Sequence, residues 1–244
     1  GIDDADHLMD AENKAIKALG GQLAVLAKEL SEKREKSAAL LCRHIEQELA
    51  SLNMPETRFS VSFQQAPSGP DDHPALVLEG KKITPSGLER PVFMISPNAG
   101  EDLRPLTKIA SGGELSRVIL AVKAILSDTG PLETIIFDEV DAGIGGKTAE
   151  TVGEKLAALA RRNQVICITH LAQIGKFADH HYNIEKQVED GRTKTAVIPL
   201  DWPGRVRETA RMIGGASITD TTLAHAEEML LAACPNSGIT KEAI

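Results

Sequence analysis

Three short segments hold the residues whose types and spacing suit chemistry. Ser111-Gly112-Gly113-Glu114 opens a helical pattern whose apolar stripe is Leu115, Val118, Ile119, Val122, Ile125 and Leu126. A serine at the start with Glu114 three residues on is a capping box, and a plain, well-started core helix would need no more. Two glycines weaken a first helical turn, however, unless another group must approach the backbone closely. Exposed amides at a helix start attract phosphate oxygens, so a phosphate contact is the preferred reading.

The second segment, Ile135-Ile136-Phe137-Asp138-Glu139, is an apolar strand ending in two carboxylates. Open α/β sheets bind ligands at that edge. Alternation along a strand would send the two acids to opposite sides and let them divide labour. One would hold Mg²⁺, directly or through water, while the other orients and deprotonates an attacking water. A turn with a helix cap accounts for the same pair, and the strand alone leaves both readings open. The third segment, Gln164-Val165-Ile166-Cys167-Ile168-Thr169-His170, supplies the context. Parallel neighbours share their C-terminal edge, so His170 belongs beside the acids, placed to hydrogen-bond a phosphate or the attacking water.

Two other clusters fail their templates. Asp141–Thr148 (D-A-G-I-G-G-K-T) ends like a phosphate-binding loop, but the first glycine of G-x-x-x-x-G-K-[ST] would fall at position 141, which is Asp. It reads as a glycine-rich turn into the next helix. His180-His181 lacks companion ligands at metal spacing and reads as surface.

The elements that must position these residues follow from periodicity. Ser111–Leu126 is helical, Thr134–Phe137 a strand, Lys147–Arg161 helical and Gln164–Thr169 a second strand, making a βαβ unit with parallel strands. Residues 206–233 read as helices broken at Gly214-Gly215, and the tail from Cys234 as loose. Upstream, residues 1–54 carry Leu19, Leu23, Leu26 and Leu30 at spacings of four, three and four among charged residues. That is the pattern of a coiled coil seeking a partner helix, with Gly20-Gly21 as an expected break. Asn53-Met54-Pro55 ends the helix. Arg58–Phe63, Ala75–Glu79 and Pro91–Ser96 are strand candidates for a small antiparallel sheet.

Composition narrows the function classes. The chain has 244 residues and a net charge of −8, with 42 % apolar and 3 % aromatic residues. The apolar share excludes disorder, the acidic balance excludes coating DNA by bulk positive charge, and so few aromatics leave no stacking platform for single strands. No apolar run approaches the roughly 20 residues of a membrane span. The three cysteines, Cys42, Cys167 and Cys234, lie far apart, as in a reducing cytoplasm, which is the expected location. Arg161-Arg162 and Arg205/Arg207/Arg211 are the candidate basic patches, though such residues are more often ordinary solvated charge.

Taken together, the motifs resemble the C-terminal lobe of an ABC-type P-loop ATPase head. Ser111–Ser116 matches its signature loop, Ile135–Glu139 its Walker B strand, Asp141–Gly146 its D-loop and His170 its switch histidine. The preceding coiled coil is similar to the SMC-like branch rather than to a transporter subunit. The resemblance implies an α/β fold, mostly parallel sheet with flanking helices plus a small antiparallel region, behind a coiled-coil helix. It divides the chain into 1–54 (end of the coiled coil), 55–233 (head lobe) and 234–244 (tail). The implied activity is ATP hydrolysis with Mg²⁺, in DNA double-strand break repair and recombination. Ser111, Gly112, Gly113 and Glu114 would contact ATP bound to a second copy of the head. Asp138 would support Mg²⁺, Glu139 would be the general base, His170 would stabilise the γ-phosphate, and Asp141 would couple the two sites. The implied partners are that second copy, an N-terminal lobe bearing the Walker A loop, which this sequence lacks, and DNA. An ABC transporter subunit and a non-enzymatic coiled-coil module are the alternatives.

Overall fold

The computed structural model describes residues 2–126, 132–189, 192–215 and 217–233. They form two compact units, Gly1–Gln47 with Glu56–Ile109, and Glu48–Pro55 with Ala110–Ile244.

The first unit is built on helix α1 (Ile2–Ser51), whose last residues belong to the second. The helix runs unbroken through Gly20-Gly21, which corrects the expected interruption. Gly20 answers to packing instead, since a Cβ there would lie 2.9 Å from Ala75 Cβ and 3.1 Å from Ala75 O. The leucine repeat splits into two rows. Leu23 packs on a buried cluster of Ala27, Ile83 and Leu88, whereas Leu19 and Leu26 are 63 % and 61 % exposed. Met9 and Ile16 are exposed as well, and Met9, Ile16, Leu19 and Leu26 follow one another at seven, three and seven residues, the a/d spacing that a coiled-coil seam would have.

Strand β1 (Arg58–Gln65) is followed by a short hairpin of β2 (Val77–Leu78) and β3 (Lys81–Lys82). Ala75 does not begin a strand as expected. Pro74 sets φ for a 3₁₀ turn over Pro74–Leu76, which His73 caps by accepting from Ala75 N, and only two extended residues remain. β4 (Glu89–Ser96) then pairs antiparallel with β1 from Arg58↔Ser96 to Gln65↔Glu89, and β5 (Arg104–Pro105) extends the same sheet. Arg34 of α1 holds the start of β4, donating to Ser86 O at 2.6 Å and Glu89 O at 3.1 Å.

The second unit opens with the end of α1, where Asn53 turns left-handed (φ 63°) and Met54 N donates back to Leu49 O, so that the helix stops before Pro55. Next come α2 (Gly112–Leu126), β6 (Thr134–Phe137), α3 (Gly146–Ala160) and β7 (Gln164–Cys167). β6 and β7 are parallel in register Thr134↔Gln164 to Phe137↔Cys167, as the βαβ pattern requires. A single turn, α4 (Ala172–Gly175), leads to an antiparallel hairpin of β8 (Tyr182–Glu189) and β9 (Arg192–Pro199) that periodicity did not reveal. Its alternating apolar residues, Tyr182, Ile184 and Val197, are diluted by charge and remain exposed. Two helices close the unit, α5 (Trp202–Gly214), capped by Asp201, and α6 (Asp220–Ala233), with the expected break at Gly215 (φ 71°). The expected loose tail lies outside the described residues.

Ile135 and Phe137 of β6 are buried, as are Val118, Leu120 and Ala121 of α2 and Val152, Leu156 and Leu159 of α3. The other sheet face is bare, with Ile136, Ile166 and Ile168 45–65 % exposed. Parallel strands are normally covered on both faces.

Two surface expectations change. His181 is half-buried, and its Nδ1 is enclosed without a hydrogen-bond partner among the described residues; burial, then the Arg205 charge, lowers its pKa. Arg205 is itself buried, donating to Ala178 O at 2.6 Å, and Arg211 pairs with Glu208 at 2.6 Å, so neither is a free basic surface group. Among the described residues no helix is long and apolar enough to cross a membrane.

Glycines in α1 and α3 give a direct test of the packing. A Cβ on Gly153 would sit 2.5 Å from the Phe177 ring and 3.0 Å from Gln173 O, whereas Gly21 faces open space. Gly21→Ala should stabilise by up to about 1 kcal/mol through helix propensity. Gly153→Ala should destabilise by about 1–3 kcal/mol through overpacking. Urea midpoints measure both, and stabilisation by Gly153→Ala would contradict the α3–α4 packing.

Candidate functional site

The site is built where α2 begins and where β6 and β7 end. Ser111 starts α2 with the serine half of the expected capping box: Glu114 N lies 3.4 Å from Ser111 Oγ, and Leu115 N donates to Ser111 O. Both glycines lie against the chain that follows β6. A Cβ on Gly112 would overlap the Glu139 carboxylate, and one on Gly113 would meet Ala142 Cβ at 2.7 Å and Glu139 O at 3.0 Å. The glycine pair therefore has a reason within the chain itself, in addition to any phosphate contact.

β6 stops at Phe137, and Glu139 adopts a left-handed backbone (φ 56°), a conformation that costs a non-glycine residue on the order of 1 kcal/mol. The two acids are thus placed by a kink rather than by strand alternation. Both are exposed, and Glu139 O accepts from Ala142 N to close the turn. Ser116 Oγ, one turn into α2, fixes the kink from below by donating to Asp138 O at 2.5 Å.

Asp141 turns inward and is 5 % exposed. Its Oδ2 accepts from Thr169 Oγ1 at 2.6 Å and from His170 N at 3.0 Å, and His170 Nδ1 lies 2.9 Å from the same oxygen. The charge of that carboxylate favours the hydrogen on the nearby Nδ1, on a ring that is 74 % exposed. Ile168 N continues the ladder to Phe137 O, keeping His170 at the edge that bears the acids. Asp138, Glu139, Asp141 and His170 are therefore brought together with the start of α2.

Three contributors carried no role in the sequence reading: Thr169, Ser116 and Arg117. Arg117 is buried, with Nη1 2.8 Å from Ala142 O and 3.5 Å from Val140 O. Burial lowers its pKa, and the nearby Glu114 charge opposes that shift. An arginine inside an apolar helical stripe, between Leu115 and Val118, was the available signal. The D-A-G-I-G-G-K-T segment forms the expected glycine-rich turn (Gly143 φ 72°) into α3.

The fold and this edge define one class. A solved Smc head domain with a coiled coil and joint, from Pyrococcus yayanosii, superposes with a TM-score of 0.52, covering 85 % of this chain and 35 % of that one at 20 % identity. The chain has the fold of an SMC-type head. No protein-family model matches it. Sequence relatives are more specific: it is 40 % identical over 230 residues to the DNA repair protein RecN of Bacillus subtilis, and 41 % identical over 223 residues to that of Streptomyces coelicolor. Those matches cover 94 % and 90 % of the chain but 40 % and 38 % of the relatives. The chain belongs to the RecN family and spans about two fifths of the length of the relatives it matches.

Cys167, at the end of β7, reports on the site. Burial, then the Asp141 and Asp138 charges, pushes its thiol from the usual value of 9.0 up to about 12. The folded state thus favours the neutral thiol, and this contribution to stability is full below pH 9 and lost as pH rises towards 12. At pH 8 only about 10⁻⁴ of Cys167 would be thiolate. Peptide-resolved alkylation should find it protected when folded and reactive in denaturant; rapid labelling of folded protein would contradict this environment.

Proposed function

We propose that this chain forms part of an ATP-hydrolysing head that works in DNA double-strand break repair, in the cytoplasm, as a pair of heads closing on ATP. One observation carries the reading. The start of α2, two exposed acids and a histidine held against a buried carboxylate converge on a single sheet edge, in a chain homologous to RecN.

The donor set suits Mg²⁺ as a shared site. Among the described residues no three His, Cys, Asp or Glu side chains gather into a metal-holding group. Mg²⁺ usually takes one or two carboxylates and completes its shell with water and substrate phosphates, and Asp138 offers one exposed carboxylate. Bound with ATP, the ion would neutralise charge on the phosphate oxygens.

Glu139 acts as the general base. It takes a proton from water as the water oxygen bonds to the γ-phosphorus, the bond to the β–γ bridging oxygen breaks, and ADP leaves with the electron pair. His170, held by Asp141, presents Nε2 to the γ-phosphate. Ser111, Gly112, Gly113 and Glu114 serve the ATP of the second copy through the amides at the start of α2. Asp141, beside that helix and beneath His170, links the two sites.

The loop that wraps the triphosphate would come from the remaining length of the longer protein. The bare face of Ile136, Ile166 and Ile168 supports further chain packing there. The seam of α1 supports a second coiled-coil helix. DNA would be met outside the Arg205/Arg211 region, where the arginines are buried or paired.

The test is Glu139→Gln in the full-length protein. Turnover should fall by about 10²–10⁴-fold, the usual contribution of a positioned base. Head dimerisation on ATP should persist, as seen by cross-linking. Wild-type turnover would refute the assignment.

A further inference from the structure

Arg117 is buried on α2, six residues after Ser111, and among the described residues no carboxylate comes within salt-bridge distance of it, the Glu114 charge acting only from further off. Burying a guanidinium without a carboxylate is costly, and an apolar residue would fill the stripe between Leu115 and Val118 at lower cost. Its hydrogen bonds show what the charge is kept for. Nη1 donates to Ala142 O at 2.8 Å and approaches Val140 O at 3.5 Å, the two carbonyls flanking Asp141. Asp141 Oδ2 in turn accepts from Thr169 Oγ1 and His170 N and stands 2.9 Å from His170 Nδ1. Contacts therefore run without a gap from the helix that opens with Ser111 to the imidazole of His170. The close approach of Gly113 to Ala142 and Glu139 O removes slack beside them.

We propose that Arg117 is a positioning residue, a strut through which the Ser111–Gly113 segment sets the placement and tautomer of His170. This rests on the hydrolytic reading for its consequence in turnover, but its effect on His170 is independent of it. A group bound at the start of α2 bears on the helix, the helix bears on the two carbonyls through the guanidinium, and the carbonyls fix the Asp141 carboxylate. Engagement at one nucleotide and readiness of the histidine at the other would then be a single event.

The test uses the full-length protein with Arg117→Met, Arg117→Lys and Asp141→Asn. Lysine keeps the charge and methionine the apolar volume, but neither side chain reproduces the fork geometry of the guanidinium. Misplacement of a reacting group is expected to lower kcat by about 10²-fold. The KM for ATP should stay within about twofold, because ground-state binding is untouched. The double variant Arg117→Lys/Asp141→Asn should lose no more than the worse single variant, because the two act in series.

The second readout needs no turnover. Nitrogen-15 spectra of labelled histidine, with His170 assigned by His170→Gln, should show a protonated Nδ1 in the wild type and a mixture of tautomers in both arginine variants. Wild-type kcat with an unchanged His170 signal in Arg117→Lys would overturn the strut, as would multiplicative losses in the double variant. Should Glu139→Gln leave turnover intact, the hydrolytic reading alone would fall, and the His170 signal would still decide for or against the strut.

Discussion

One buried oxygen, Oδ2 of Asp141, accepts from Thr169 Oγ1 and His170 N and lies 2.9 Å from His170 Nδ1, and much of the second unit is arranged around that fact. Hydrogen bonds to an ionised group contribute about 1.5–3 kcal/mol each, and a buried donor left without its acceptor costs a comparable amount. β6 must therefore end where it does. The kink at Glu139 must turn the chain inward, and Thr169 and His170 must emerge from β7 at the matching level. The parallel register from Thr134↔Gln164 to Phe137↔Cys167 meets that condition.

The same requirement explains residues that look redundant in isolation. Left-handed backbone at Glu139 is unfavourable alone, but it lets two exposed acids precede a buried one by two or three residues. Gly112 and Gly113 allow α2 to approach that kink, and Ser116 and Arg117 hold it there through Asp138, Val140 and Ala142 carbonyls. The acids, the histidine and the helix start thus stand on one polar frame above the apolar layer of Val118, Phe137 and Val152.

Much of this was legible in the sequence because it was carried by period and by local rules. The capping serine, the apolar strand ending in acids and the βαβ spacing put Ser111, Asp138, Glu139 and His170 at one edge. What stayed hidden was of another kind. Arg117 and Thr169 matter through contacts made 25 and 28 residues away in the chain, which no local period encodes. Gly20 read as a break because glycine is a poor helix former, yet its close contact with Ala75 is tertiary. The β8–β9 hairpin escaped notice because its apolar face is bare and interleaved with charge. Arg205 read as surface because most arginines are, whereas here it binds the Ala178 carbonyl from inside.

The central claim is that the α2 start serves ATP held by a second copy, while Glu139 and His170 serve ATP held by their own. Mixing two inactive full-length proteins, Ser111→Arg and Glu139→Gln, tests this directly. Mixed dimers contain one composite site with both functions intact, so turnover should reappear on mixing and be absent from either protein alone. A mixture as inactive as its components, with subunit exchange confirmed, would contradict the account.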